Sequence, residues 1–327
     1  MTRRRAAPIL AVWLLPAFCL AVDPVARQDR FDATIESTIA PPPENALKMP
    51  TDVAVDSAGR IYVADGTNDR VVCFLPDGKV EATIAQATGK KLRRPAGIAI
   101  DASDRLWIAD TGNHRVVYIS PDRKESQAVE SPAAEGPRGF DPTDIVVTPD
   151  LKRTYVADNE NHRVVVRDNA TGQWTSLGKF GRALGQFQWP FMLCLGGEQY
   201  VYVTEVIGAR VQQISPTDRW AGIVGAWGVE VGQFYRPKGI VADPRGRIYV
   251  SDSSLGVVQV FSARGTFEGL LTDEAGKPRY FQHPMGMCFD AQGKLLVVEL
   301  KANRVAVVSV PRAEARPTTR PSGAGGR

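Results

Sequence analysis

The stretch Asp110–Val117, DTGNHRVV, returns as Asp158–Val165, DNENHRVV. In each copy an acidic residue ends a short apolar run, and an arginine follows five positions later. Six copies of this pattern occur, each with a proline 15 or 16 residues before its acid. The prolines are Pro50, Pro95, Pro142, Pro190, Pro237 and Pro284; the acids are Asp65, Asp110, Asp158, Glu205, Asp252 and Glu299; the arginines are Arg70, Arg115, Arg163, Arg210 and Arg304, with Val257 in the fifth copy. A repeat of this length is typical of propellers, solenoids and arrays.

Each copy contains the signals of four strands. In the second copy, Gly97–Ile100, Leu106–Ala109 and Arg115–Ile119 are short runs rich in β-branched and aromatic residues, separated by polar turns. A weaker fourth run follows, and runs of this kind predict antiparallel strands joined by hairpins. The sequence therefore predicts an all-β fold, a six-bladed β-propeller of four-stranded antiparallel blades over residues 31–310.

The two ends of the repeat region predict how the ring closes. The sixth copy supplies only three strands, the last of them within Arg304–Val310, and then loses the pattern. The run Ala33–Ile39 precedes the first copy and has the alternation of a strand. We expect this N-terminal strand to pair as the outer strand of blade six, because such a pairing removes an exposed sheet edge.

The chain termini have a different composition. Arg3, Arg4 and Arg5 precede the apolar stretch Pro8–Val22, which is typical of a signal peptide and short for a membrane span. We expect residues 1–21 to be removed and the protein to be extracytoplasmic, either periplasmic or secreted; only an uncleaved segment would attach it to a membrane. Residues 311–327 are rich in Pro, Gly and Arg, which predicts a disordered tail.

The charge balance bears on partners. The formal net charge is +4, but three arginines lie in the leader and the tail contributes a further net +3, which leaves about −2 for the remaining residues. A domain that binds nucleic acid usually carries a strongly basic surface. The composition therefore predicts no nucleic-acid partner, and we expect a monomer.

The repeated stretches resemble a known family. Asp110–Val117 and Asp158–Val165 are similar to the core of the NHL repeat, and Gly185–Pro190 (GQFQWP) and Gly232–Pro237 (GQFYRP) resemble the link between blades in bacterial members. The resemblance implies a six-bladed propeller, but no single activity, because this fold carries enzymes and binding proteins alike.

One enzyme family with this fold has a first blade of similar sequence. Pro50–Asp56 and Tyr62–Gly66 resemble the first blade of the peptidyl-α-hydroxyglycine α-amidating lyases. Those enzymes hold zinc with histidines that follow the blade prolines. The equivalent positions here are Thr51, Ala96, Thr143, Phe191, Lys238 and Met285. Since catalytic zinc needs about three protein ligands, the resemblance does not extend to the zinc lyase activity.

The residues before the prolines differ from one copy to the next, whereas the framework positions hardly vary. Differing residues at equivalent positions of a repeat scaffold are typical of a binding surface, although unselected loop variation gives the same pattern. The candidate ligand-binding residues of this rim are Arg94, Trp189, Tyr235, Arg236 and His283. On this basis we expect a non-catalytic scaffold that binds a protein, peptide or glycan through one rim face.

A second hypothesis is an enzyme. Asp52 and Asp144 stand where other copies have glycine, at the start of an innermost strand. Two carboxylates with backbone carbonyls are candidate calcium ligands, unless each carboxylate only accepts hydrogen bonds from backbone amides. With calcium at the channel mouth, a lyase or lactone hydrolase would use Arg70 or His283 to polarise its substrate. Such an enzyme should contain more inward-facing His, Asn or Glu than this sequence offers, which favours the scaffold.

Overall fold

The computed structural model describes residues 31–132 and 139–310, and it confirms the predicted six-bladed β-propeller. The predicted signal peptide, residues 1–21, and the predicted tail, residues 311–327, lie outside these ranges. Within them, no helix has the length and apolar character needed to cross a membrane.

The strands follow the repeat. Two strands precede the first blade: β1 (Phe31–Asp32) and β2 (Thr34–Ile39). Blade one contains β3 (Asp52–Val55), β4 (Ile61–Asp65), β5 (Arg70–Phe74) and β6 (Val80–Ile84), followed by the small hairpin β7 (Gln86–Ala87) and β8 (Lys90–Lys91). Blade two contains β9 (Ile98–Ile100), β10 (Leu106–Asp110), β11 (Arg115–Ile119) and β12 (Ser126–Val129). Blade three contains β13 (Pro142–Val147), β14 (Arg153–Asp158), β15 (Arg163–Asp168) and β16 (Trp174–Leu177).

The second half of the ring is built in the same way. Blade four contains β17 (Pro190–Leu195), β18 (Val201–Glu205), β19 (Arg210–Ile214) and β20 (Trp220–Val224). Blade five contains β21 (Pro237–Ala242), β22 (Ile248–Asp252), β23 (Val257–Phe261) and β24 (Phe267–Thr272). Blade six contains β25 (Pro284–Phe289), β26 (Leu295–Glu299) and β27 (Arg304–Ser309). Short 3-10 helices cover Pro43–Asn45, Gly66–Asn68, Thr111–Asn113 and Gly197–Gln199.

The second strands are buried on both faces, because each blade packs between two others. Tyr155, Tyr202 and Tyr249 occupy the same position in three blades and are all buried. The apolar clusters join neighbouring blades, as where Tyr62 of blade one and Ile108 of blade two share one cluster. Sheet-on-sheet packing of this kind needs large residues on both faces of each strand.

The N-terminal segment closes the ring. Strand β2 pairs antiparallel with β27, from Thr34 opposite Ser309 to Ile39 opposite Val305, as predicted. Strand β1 adds a contact that the sequence did not predict, because it pairs in parallel with β24 of blade five. The Phe31 side chain is buried beside Tyr249, with ring centroids 6.4 Å apart. The segment therefore holds blades five and six together.

The acid and arginine columns stabilise each blade. The acid that ends the second strand pairs with the arginine that begins the third, at 2.7 Å for Asp65–Arg70 and 2.5 Å for Glu299–Arg304. The same carboxylate accepts a backbone N–H one or two residues before the blade's proline, as in Lys48 N to Asp65 Oδ1 at 2.8 Å. Equivalent bonds are donated by Arg93, Asp141, Gln188, Tyr235 and Gln282. This bond fixes the link that leads into each blade.

We expect Phe31→Ala to lower the free energy of unfolding by about 3 kcal/mol, as for other buried aromatic side chains cut to alanine. Because β1 contacts blade five and continues into the clasp on blade six, unfolding should stay a single transition with a lower midpoint. Urea denaturation followed by tryptophan fluorescence measures both quantities.

The matched control is Thr38→Ala, which changes an exposed side chain of β2 and should leave the midpoint close to that of the wild type. A separate early transition in the Phe31→Ala protein would contradict the role assigned to this contact.

Candidate functional site

One face of the ring carries both the turns between second and third strands and the links that precede the prolines. Backbone bonds join the two, as in Ser253 N to Arg236 O at 3.0 Å and Leu300 N to His283 O at 3.1 Å. We call this the upper face. The links and the turns between second and third strands therefore share one surface.

Two successive links on the upper face have the same construction. We call residues 178–189 link four and residues 225–236 link five. Each buries one phenylalanine, Phe187 or Phe234, completely. Each also needs a glycine at its start, because a Cβ at Gly225 would stand 2.3 Å from the Phe234 ring.

Each link also leaves one aromatic side chain exposed to solvent. Phe180 and Trp227 occupy equivalent positions and form matching single bridges to the buried phenylalanines. Their side chains are 57% and 71% exposed, which is unusual for rings of this size. Of the ten large hydrophobic residues that are exposed in the described parts of the chain, eight lie between residues 180 and 235. The upper face therefore has an apolar patch on one side of the ring.

A groove of about 660 Å³ crosses this patch between links four and five. It is lined by Arg182, Gln188, Ile207, Gly208, Arg210, Ile223, Gly225, Ala226, Trp227 and Arg236. Ile207 belongs to the turn of blade four, and its side chain is exposed. We call this cavity the blade-four groove.

The charged side chains that line the groove are basic. Arg210 pairs with Glu205 at 2.5 Å. The guanidinium groups of Arg182 and Arg236 have no carboxylate partner among residues 31–132 and 139–310, and the Arg236 side chain donates to the Val206 carbonyl, at 3.4 Å. Two guanidinium groups beside exposed apolar side chains suit a ligand that has both apolar and acidic groups.

The candidate rim residues do not all lie together. Trp189 belongs to link four, where its ring lies 4.6 Å from that of His162. Tyr235 and Arg236 are adjacent in link five, with the Arg236 guanidinium 5.4 Å from the Tyr235 ring centroid. His283 is on the following link. Arg94 precedes blade two, on the opposite side of the ring, where its backbone N–H is bonded to Asp69.

The first strands of all six blades line a central channel, which contains a cavity of about 260 Å³. Side-chain hydroxyls bond neighbouring blades here, as in Thr204 Oγ1 to Lys238 O at 2.8 Å and Ser251 Oγ to Met285 O at 2.9 Å. Asp52 and Asp144 also line this cavity, and both are buried.

The two aspartates bond blades to each other. Asp52 accepts Val53 N at 2.9 Å and Ile98 N, in blade two, at 2.8 Å. Asp144 accepts Leu193 N, in blade four, at 2.7 Å. Burial raises the pKa of Asp52 to about 7. Burial and then the Asp52 charge raise the pKa of Asp144 well above its usual range.

The residues present do not fit a calcium ion. Calcium takes six to eight oxygen ligands, whereas both oxygens of Asp52 already accept backbone amides. Within the described ranges there is no group of three or more His, Cys, Asp or Glu side chains that could hold a metal. Arg70, one of the two residues considered for polarising a substrate, donates to Asp65 of blade one and to the carbonyls of Asn45 and Ala46, which precede that blade.

Several residues of this face were not found from the sequence. Phe180, Arg182 and Trp227 line or flank the groove but match no motif. The signal available was the repeat itself, because Phe180 and Trp227 are at the same distance before their prolines. The sequence placed Lys238 only as the equivalent of a zinc-binding histidine of the lyases. Its Nζ lies 4.1 Å from the Phe191 ring centroid, at the start of the first strand of blade five.

Comparisons with known proteins agree with the fold. A family model for the NHL repeat matches residues 47–74 and 92–117, in the first two blades. No curated protein matches the sequence significantly.

Solved structures with the same fold include enzymes and a binding protein. Virginiamycin B lyase from Staphylococcus aureus is 15% identical, with a TM-score of 0.61 over 86% of this chain and 100% of that one. A gluconolactonase from Xanthomonas campestris is 15% identical, with a TM-score of 0.63 over 88% and 92%. An auxiliary nutrient binding protein from Bacteroides thetaiotaomicron is 13% identical, with a TM-score of 0.63 over 82% and 70%. At these identities the likeness shows a shared fold alone.

The buried aspartates predict a dependence of stability on pH. A carboxyl group whose folded pKa is raised stabilises the fold below its unfolded pKa, and this stabilisation is lost as the pH rises through the folded pKa. For Asp52 the loss should fall between about pH 4 and about pH 7, with a slope of up to about 1.4 kcal/mol per pH unit. Asp52→Asn should make this fall in stability less steep, and Asp144→Asn tests the second aspartate in the same way. Urea denaturation across this range measures it, and an unchanged slope in both variants would contradict the assignment.

Calcium binding has its own test. Because the aspartate oxygens are occupied by backbone amides, we expect the unfolding temperature to be the same with calcium and with a chelator. A ligand at a hundredfold excess over its Kd would add about 2.7 kcal/mol, so a calcium-dependent rise that Asp52→Ala and Asp144→Ala abolish would overturn this expectation.

Proposed function

Because the chain is a six-bladed β-propeller that carries NHL repeats, we propose that it is an exported, non-catalytic binding scaffold. Its blade-four groove binds an acidic, partly apolar segment of a partner protein. Export rests on the signal-peptide pattern of residues 1–21. The observation that carries the binding function is the concentration of exposed apolar side chains around this groove.

The apolar side chains favour a protein ligand. Soluble proteins seldom expose several large hydrophobic residues together unless the surface binds something. Trp227, Ile207 and Ile223 line one cavity, so an apolar segment of a partner that fills it contacts all three. Tryptophan and arginine are also the residue types that contribute most at protein interfaces.

The unpaired guanidinium groups determine the charge of the partner. Arg182 and Arg236 line the groove, and neither pairs with a carboxylate of the described chain. An Asp or Glu of the partner can form charge-assisted hydrogen bonds with them. Complementary charge of this kind contributes mainly to specificity and to the rate of association.

The alternative, a calcium-dependent lyase or lactone hydrolase, has less support. It depends on a metal ion at Asp52 and Asp144, whose oxygens accept the amides of Val53, Ile98 and Leu193. The lyase and gluconolactonase named above share only the fold with this chain, and a fold by itself does not identify an activity.

Selection of peptides on the protein tests the proposal. A random displayed peptide library is panned on residues 22–327, and we expect enrichment of peptides that combine Asp or Glu with an aromatic residue or leucine. Binding of a selected peptide, measured by fluorescence polarisation, should weaken by about thirtyfold in Trp227→Ala, the size of a hot-spot loss of about 2 kcal/mol.

Tyr280→Ala is the matched control, because Tyr280 is 68% exposed, much like Trp227, but lies outside the groove. Its affinity for the peptide should equal that of the wild type. Enrichment of basic peptides, or peptides that bind Trp227→Ala as well as the wild type, would overturn the proposal. Probing a glycan array with the protein in parallel would show whether the ligand is a glycan instead.

A further inference from the structure

Strand β1 lengthens blade five through two residues at the outer edge of β24. Phe31 pairs in parallel with Leu271 of β24. The next residue, Asp32, pairs in the same way with Thr272, whose carbonyl also accepts Ala33 N at 2.7 Å. A short extended segment can therefore be added to a blade of this propeller at its outermost strand.

The equivalent edge of blade four belongs to β20. Ile223 of β20 lies opposite Gln212. Leu270 of β24 lies opposite Gln259, which bonds the next link as Gln212 bonds link four. The stretch Val224–Gly225 therefore corresponds to the two residues that β1 pairs with in blade five.

The backbone at this edge of blade four is unpaired. Strand β20 is the last strand of its sheet and pairs with β19 alone within the described parts of the chain. Gly225 follows it, and neither its N–H nor its C=O forms a hydrogen bond among residues 31–132 and 139–310. Charged residues and prolines commonly keep edge strands from pairing, and Trp220–Val224 contains neither.

This free edge opens on the blade-four groove. Gly225 and Ala226 line the groove beside Ile223. Because Gly225 has no side chain, it presents backbone atoms to the cavity. A glycine in a strand often marks a site that another backbone approaches closely, and β20 contains a second one, Gly222. A segment bound in the groove can therefore reach unpaired backbone groups.

Resting on the peptide-binding function proposed above, we propose that the partner segment binds as an added strand, parallel to β20. Its backbone pairs with Gly225, as β1 pairs with Thr272 in blade five. In recognition of this kind the backbone hydrogen bonds contribute affinity, and every second side chain contributes specificity.

The pairing determines the spacing of the residues that the partner needs. Ile223 is exposed in the groove, whereas Val224 is buried on the other face of β20. Side chains alternate along a strand, and paired residues point to the same face. Partner residues opposite Ile223 and Gly225 should therefore point into the groove. The apolar and the acidic residue should be two positions apart, whereas a bound helix would need three or four.

A scan of backbone N-methyl groups along a peptide tests this binding mode on the unmodified protein. The probe is a peptide that panning selects on the wild type and that Trp227→Ala binds weakly. In an added strand every second amide points towards β20. Methylation of those amides should lower the affinity by about tenfold or more, and methylation of the intervening amides should have little effect. Fluorescence polarisation measures each affinity.

Hydrogen exchange observed by NMR tests the protein side of the same bonds. Saturation with the peptide should slow exchange of the Gly225 amide by about tenfold or more, because this group becomes hydrogen-bonded. Gly178 is the internal control, since it stands at the equivalent position of link four and does not line the groove. Its exchange rate should not change.

The outcomes separate this proposal from the function on which it rests. Peptides that depend on Trp227 but show no alternation in the N-methyl scan, or no protection of Gly225, would overturn strand addition and leave the groove as the binding site. Selected sequences with the acid and the apolar residue three or four apart would also overturn it. If panning yields no peptide that depends on Trp227, both proposals fail.

Discussion

The rest of the propeller depends on six buried carboxylates, one at the end of each second strand. A charge removed from water must find hydrogen-bond donors, because leaving it unpaired costs several kcal/mol. Each carboxylate finds a donor in the link that leads into its own blade. Five are also paired with an arginine, and the sixth, Asp252, accepts four backbone amides instead. The loops of the upper face are thereby held to the sheets that they join.

A frame of this kind separates stability from recognition. Links four and five bury equivalent phenylalanines and use equivalent glycines, and Gln212 and Gln259 bond their backbones in the same way. The residues that differ, such as Phe180 against Trp227, point outward. The frame therefore tolerates changes on the upper face, and the groove lies where links four and five differ in their exposed residues.

Departures from the repeat do not all have the same meaning. Asp52 and Asp144 interrupt a column of glycines, and the glycines of the preceding blades, Gly286 and Gly97, leave the space that these carboxylates fill. Blades four and five make the corresponding bond with the hydroxyls of Thr204 and Ser251. At the channel, different residues thus perform one structural task, which is the bonding of one blade to the next. An irregular position in the repeat is therefore not by itself evidence of a binding or catalytic residue.

The repeat by itself determined the number of blades, the order of their strands and the clasp of β2 on blade six, because period, alternation and a missing strand are properties of the chain's local order. The repeat did not predict the two-residue strand β1, since so short a pairing leaves no pattern in the sequence. The sequence also identified Trp189, Tyr235, Arg236 and His283 as rim positions. Only the tertiary structure decided that Arg182 and Trp227, from links four and five, line one groove together with Ile207. Those relations depend on the closing of the ring, which brings together residues of different blades that are far apart in the chain.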